Sequence, residues 1–191
     1  MMKLGVIGST KGTDLKAICD SISSGKLDAE VAVVLSNRAK AYILERAKKN
    51  KIPAFYISHV NKTRNEFDRE MTTILKKYQV ELVLLIGFMR ILSNEFCLKW
   101  KDKILNVHPS LLPKYSGGMD LNVHEAVLAN GDVETGCTIH FVTEDVDAGP
   151  IIVQKRCHIE PSDTAELLKK KVQALEGIAY IEAINLLTSN R

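Results

Sequence analysis

The sequence has four cysteines, Cys19, Cys97, Cys137 and Cys157, and no CxxC pair among them. That spacing gives no support to a disulfide framework or a zinc site, so the thiols are expected to be small buried hydrophobes in a reducing compartment. Long apolar runs are missing too: nothing approaches the ~20 residues that a bilayer-spanning helix needs. The opening MMKLGVIGST carries one lysine and soon meets glycine, unlike a secretory signal, and a cytoplasmic protein is expected. Charge of one sign is also absent. Lys and Arg number 26 against 23 Asp and Glu, a formal net charge of +3 with the signs interleaved, which implies no field for nucleic acid or a membrane surface. No repeat, low-complexity stretch, linker or coiled-coil heptad is present, and oligomeric state is left open. The 46% hydrophobic and 26% charged fractions are those of an ordinary globular protein, read as one domain over residues 1–191.

What is there is an alternation. KLGVIG (residues 3–8), EVAVVLS (30–36), PAFYI and VELVLLIG (80–87) are short, nearly all-apolar runs, as strands covered on both faces require. Between them lie LKAICDSIS, AKAYILERAKKN (39–50) and NKTRNEFDREMTTILKKYQ, each with apolar residues at helical spacing. Strand and helix alternating in this way predict an α/β fold: a mostly parallel twisted sheet with helices on both faces. The second half differs. ILNV, GCTIHFV (136–142) and PIIVQKRCHI (150–159) read as strands separated by turn chemistry, so the C-terminal part of the sheet is expected to be mixed. A long helix closes the chain, with Ser162 or Asp163 as its expected cap.

Ligands of such sheets bind beyond the carboxyl ends of the strands, which directs attention to STKGTD, GFMR, NVHPS and TEDVDAG. Asn106 and His108 are two apart in an extended segment and share a face. An acid such as Asp147 from another loop can hold the imidazole and favour its charged form. The loop GSTKGTDL matches neither GxGxxG nor the P-loop spacing, which argues against a dinucleotide-dependent oxidoreductase or a nucleoside triphosphate site. Its glycines and the helix that follows suit a bound anion.

NVHPSLLPKYSGG followed by TGCTIHFVTEDVDAGPII resembles the folate-dependent formyltransferases. The likeness runs end to end, through the GTDL loop, SNRAKAYILERAKKNKIP, RNEFDRE, LIGFMRILS and VQALE. It implies a Rossmann-like formyltransferase fold and transfer of a formyl group from 10-formyltetrahydrofolate, as co-substrate, to the amine of glycinamide ribonucleotide in purine biosynthesis. Its substrates would be small molecules. A sugar-nucleotide formyltransferase or formyltetrahydrofolate hydrolase is the alternative; the tRNA-acting and hydrolytic relatives carry a further domain, which this chain is not expected to have.

By that resemblance Asn106, His108 and Asp147 are catalytic. His108 and Asn106 would donate to the oxyanion that forms on the formyl group, and Asp147 would raise the pKa of His108 and order a water for proton relay. The ribonucleotide would meet Gly12, Thr13 and Asp14 through its phosphate, and Gln173 and Glu176 near its sugar. Asp14 departs from the commoner family form, where Ser and Asn follow the glycine, and its carboxylate is expected to turn away and cap the helix. The folate would meet Met89, Arg90, Ile91, Leu92, Thr143 and Glu144, besides Asn106 and Asp147, with Arg64 at its carboxylated end. No metal is expected, because the trio lacks metal-ligand spacing. Ser116 to Asn122 is read as a lid. His140 is assigned either to core packing or to support of the trio; His59, His124 and His158 have no assigned role.

Overall fold

In the computed structural model of the chain, which describes residues 1–189, the alternation becomes β1 (Met2–Gly8), α1 (Thr13–Ser23), β2 (Ala29–Ser36), α2 (Tyr42–Lys49), β3 (Ala54–Tyr56), α3 (Arg64–Lys77) and β4 (Leu82–Ile86). Then come α4 (Asn94–Lys99), β5 (Ile104–His108), α5 (Leu121–Ala129), β6 (Glu134–Phe141), β7 (Ile151–His158) and α6 (Ala165–Ser189). Successive strand residues point to opposite faces, and both faces are covered. Leu4, Val6, Leu82 and Leu84 pack with α1, α2 and α6, whereas Ile7, Val33, Val83 and Leu85 pack with α3 and α4. That two-sided burial is why the strands read as unbroken apolar runs.

The seven strands lie in the order β3-β2-β1-β4-β5-β6-β7. The first five are parallel; β6 runs antiparallel to both β5 and β7, the expected mixed part. The winding reverses between β1 and β4, which opens a crevice at their carboxyl ends. The closing helix α6 lies across this region because Gly177 lets it approach α1: a Cβ there would sit 2.6 Å from the Cβ of Ala17. Among the described residues no helix is long and apolar enough to cross a membrane.

Three expectations need correction, and one helix, α4, had none. Helix α1 begins at Thr13, so the GTD of the first loop belongs to its start. The cap of α6 is Thr164, whose Oγ1 accepts from the Leu167 N–H at 3.3 Å. The Asp163 carboxylate is already engaged, accepting from the Glu160 N–H at 2.9 Å and the Lys171 ammonium at 2.6 Å. Helix α4, six residues long, is too short to show a period, although the Ser93 hydroxyl caps it by accepting from the Phe96 N–H. Helix α5 begins at Leu121, inside what the sequence offered as a mobile loop.

Tyr180 of α6 is fully buried, and its hydroxyl donates to the Leu85 carbonyl of β4 at 2.6 Å. Tyr180→Phe removes that donor while keeping the ring, so the free energy of unfolding is expected to fall by about 1–3 kcal/mol. Equilibrium urea unfolding with an unchanged m value is the check.

Candidate active site

The loops that leave β1, β4 and β5 meet the loop after β6 around one cavity of about 720 Å³. Local hydrogen bonds fix the first two loops against each other. The Ser9 hydroxyl donates to the Asn37 side-chain oxygen at 2.6 Å and accepts from the Met89 N–H at 3.0 Å, and the Ser9 N–H reaches the Gly87 carbonyl. Gly12, at φ 67°, precedes α1, and a Cβ there would lie 2.5 Å from the Ile43 side chain. Any other residue would push α2 away from this turn.

Asn106, His108 and Asp147 come together in the cavity wall. Ile104, Asn106 and His108 share one face of β5; Ile104 is fully buried in the core, and the two polar residues continue that face into the cavity. Ser110 donates its hydroxyl proton to the Lys114 carbonyl at 2.7 Å, so toward His108 Nδ1, 2.9 Å away, its oxygen can only accept. His108 Nε2 lies 3.2 Å from Asp147 Oδ2 and 3.2 Å from the Gly118 carbonyl, both acceptors. Only the doubly protonated imidazolium satisfies acceptors at both nitrogens. The Thr138 hydroxyl donates to the Ser110 carbonyl at 2.7 Å and accepts from the Leu112 N–H at 3.0 Å, which anchors the loop that carries these acceptors.

His140 sits directly across from Asn106 in the β5–β6 ladder. Its Nδ1 donates to the Phe141 carbonyl at 2.9 Å, which leaves Nε2 bare to accept from the Asn106 amide at 3.3 Å. Burial is the main influence that lowers the His140 pKa, and the nearby His108 adds to it, so the ring stays neutral beside its charged neighbour. Of the two roles open to His140, the structure shows it holding Asn106. Asp147 is held at φ 55°. Burial alone would raise its carboxyl, but hydrogen bonds from His108 and from the Gly117 N–H outweigh it and bring the carboxyl below its ordinary value.

Segment Ser116 to Asn122 lies against this group: Gly117 donates to Asp147 and Gly118 accepts from His108. Only its first part is loop, since Leu121 and Asn122 form the first turn of α5. Beneath it His124 is buried, with Nδ1 unpartnered among the described residues and a pKa pushed down to about 4 by burial and then by Lys169. His124, for which no role is expected from the sequence, stands in the cavity wall.

Gly12, Thr13, Asp14, Gln173 and Glu176 line the side of the cavity formed by α1 and α6. Asp14 does not cap α1: Gly12 holds the cap position without any side-chain bond, and the Asp14 carboxylate is buried. The residue stands two positions past the cap, inside the first turn. Met89, Arg90, Ile91, Leu92, Thr143 and Glu144 line the remainder. Met89 and Ile91 are exposed apolar side chains and Arg90 packs over the Phe67 ring at 5.1 Å. Arg64 is not in this lining. It is the first residue of α3, exposed, and acts at a distance on the Asp68 carboxyl beside Arg90.

The chain, a sheet wound in this order around one cavity, belongs to the formyl transferase family, whose model matches residues 2–184. It is 40% identical to phosphoribosylglycinamide formyltransferase of Haemophilus influenzae over 100% of this chain and 89% of that protein. It is 44% identical to the trifunctional purine biosynthetic protein adenosine-3 of Chironomus tentans over 98% of this chain, and spans 14% of that protein's length. The solved structure of glycinamide ribonucleotide transformylase 1 from Symbiobacterium toebii superposes with a TM-score of 0.94 at 40% identity, covering 100% of this chain and 89% of that one.

A depressed carboxyl stabilises the fold above its unfolded pKa and loses that contribution as pH falls through the lower folded value. The ordinary value for Asp147 is 3.8 and the folded value is lower. Asp147→Asn is therefore expected to narrow its stability gap to the unchanged protein as pH is taken from neutral to below ~4. Urea midpoints across that range measure it; a gap independent of pH would contradict the pairing.

Proposed function

We propose that the chain transfers the formyl group of 10-formyltetrahydrofolate to the primary amine of glycinamide ribonucleotide, a step of purine biosynthesis. The observation that carries this reading is the His108 ring, ringed by acceptors beside the Asn106 amide, midway along a cavity with an exposed apolar wall on one side and a helix N-terminus on the other. Formyl transferases use a formyl-folate as co-substrate, and a cavity of about 720 Å³ lies within the range that small-ligand sites occupy.

When the amine attacks, a C–N bond forms and the formyl oxygen gains negative charge. Protonated His108 and the Asn106 N–H that His140 leaves unspent are the donors for that oxygen. Gly118 now occupies the Nε2 direction, so the Ser116 to Asn122 segment must yield for His108 to reach the formyl group. Asp147 keeps the imidazolium charged and aligned. The amine then loses a proton and the departing folate nitrogen gains one, a transfer for which His108 and Asp147 are the titrating pair in reach. The amides at the start of α1 would hold the ribonucleotide phosphate, and Gln173 and Glu176 its sugar. Met89, Ile91 and Leu92 would wall the pteridine, with Thr143 and Glu144 opposite. Arg90 is the cation in the cavity wall for the folate's carboxylated end; Arg64 would have to reach that end from outside it.

The test follows loss of 10-formyltetrahydrofolate by the purified protein, with and without glycinamide ribonucleotide. Loss that requires the amine supports the reading. Loss without it, or none at all, overturns it in favour of hydrolysis or of another acceptor such as an amino sugar nucleotide. In the same assay His108→Ala is expected to lower kcat by roughly a hundredfold or more, the usual cost of an oxyanion donor, with a smaller change in KM.

A further inference from the structure

Asp14 and Glu176 are carboxylates of α1 and α6 that line one cavity beside a close contact between the two helices. Ala17, one turn after Asp14, meets Gly177, the neighbour of Glu176, and Gly177 has no Cβ to hold the helices apart. Asp14 is only 5% exposed, and its Oδ1 has no hydrogen-bond partner among the described residues. Both side chains line the cavity at the N-terminal end of α1.

The surroundings do not neutralise the pair. On α6, Lys169 pulls the Glu176 carboxyl down less than burial and Asp14 push it up and is itself paired with Asp120, and the Tyr180 hydroxyl donates to the Leu85 carbonyl. On β6, the Cys137 thiol is pushed up to about 12 by burial and then by Glu176, so it carries no charge. Lys11, in the loop before α1, is exposed, and the buried His124 of α5 is neutral. Burial pushes the Asp14 carboxyl up to about 7. Burial, and then the charge of Asp14, push Glu176 up to about 8. Two carboxylates placed like this ionise one at a time.

We propose that Asp14 and Glu176 share one proton, and that the acceptor's phosphate binds at the start of α1 far better while that proton is present. With the proton on Asp14, its unpartnered oxygen becomes a donor toward the ligand and the site carries one negative charge. Without it, a phosphate dianion faces two. Binding therefore takes up a proton, and by reciprocity the bound phosphate makes the proton harder to remove. The proposal rests on the reading of this end of the cavity as the phosphate site.

Ribose 5-phosphate is the probe, because it lacks the titrating amine of the acceptor and its own phosphate is fully ionised above roughly pH 7. Binding is followed by calorimetry from pH 7 to 9 in two buffers of different ionisation heat. For the unchanged protein the affinity should fall toward tenfold per pH unit at the upper end, with close to one proton taken up. Asp14→Asn retains a donor and removes one titrating group, so its affinity should change less than twofold per unit, with no uptake. Glu176→Gln should flatten the profile too, and serves if the first variant does not fold. Binding without uptake in the unchanged protein, or an unaltered pH slope in both variants, overturns the shared proton and leaves the phosphate reading standing. No binding of ribose 5-phosphate at any pH overturns both.

Discussion

The register of β5 against β6 is the constraint on which the site depends. It sets Asn106 across from His140 and His108 across from Thr138. Each pairing then does something definite: His140 accepts from the Asn106 amide, and Thr138 anchors the Ser110 to Leu112 loop whose hydroxyl receives His108 Nδ1. A slip of one residue would turn Asn106 and His108 to the opposite face of the sheet, toward α6. The core prevents it. Ile104 and Leu105 are fully buried on opposite faces of the same strand, so any slip would also empty both cores.

Around that fixed ladder the charges are sorted by what each group faces. His108 faces acceptors at both nitrogens. His140, two residues along β6 from the partner of His108 and also buried, donates to one carbonyl, accepts from an amide and stays neutral. Asp147 bridges them, with its Oδ1 3.6 Å from His140 Nε2, beyond a hydrogen bond, and its Oδ2 committed to His108 and Gly117. Three titratable groups thus meet three distinct sets of partners within one wall, the separation of roles that acid–base chemistry near neutrality requires. The acidic pair on α1 and α6 lines the same cavity.

Much of this was legible in the sequence, for identifiable reasons. The first four strands announced themselves because burial on both faces leaves unbroken apolar runs, and Asn106 and His108 because a spacing of two in an extended segment fixes a shared face. Asp147 and the cavity loops followed from the position of ligand sites beyond the carboxyl ends of the strands, and the structure brings those residues together. The remainder depended on contacts distant in the chain. Nothing local in GTDL says that its Asp will meet Glu176, since that follows from the packing of Gly177 on Ala17. The role of His140 follows from a carbonyl one residue away and an amide on the next strand. Thr164 wins the cap of α6 because Asp163 is taken by Lys171, and Arg64 misses the cavity wall because α3 starts by pointing it to solvent; neither is a matter of spacing.

The central claim is that His108 and Asp147 act as one unit, the carboxylate being useful only through the imidazolium it holds. A double-substitution cycle of His108→Ala and Asp147→Ala, read in kcat for formyl transfer to glycinamide ribonucleotide, tests it most directly. If the two act together, the double variant should be no more than about threefold slower than the slower single variant, as for other groups that function as a unit. If the two losses multiply, each residue contributes on its own, and the account given for Asp147 is wrong.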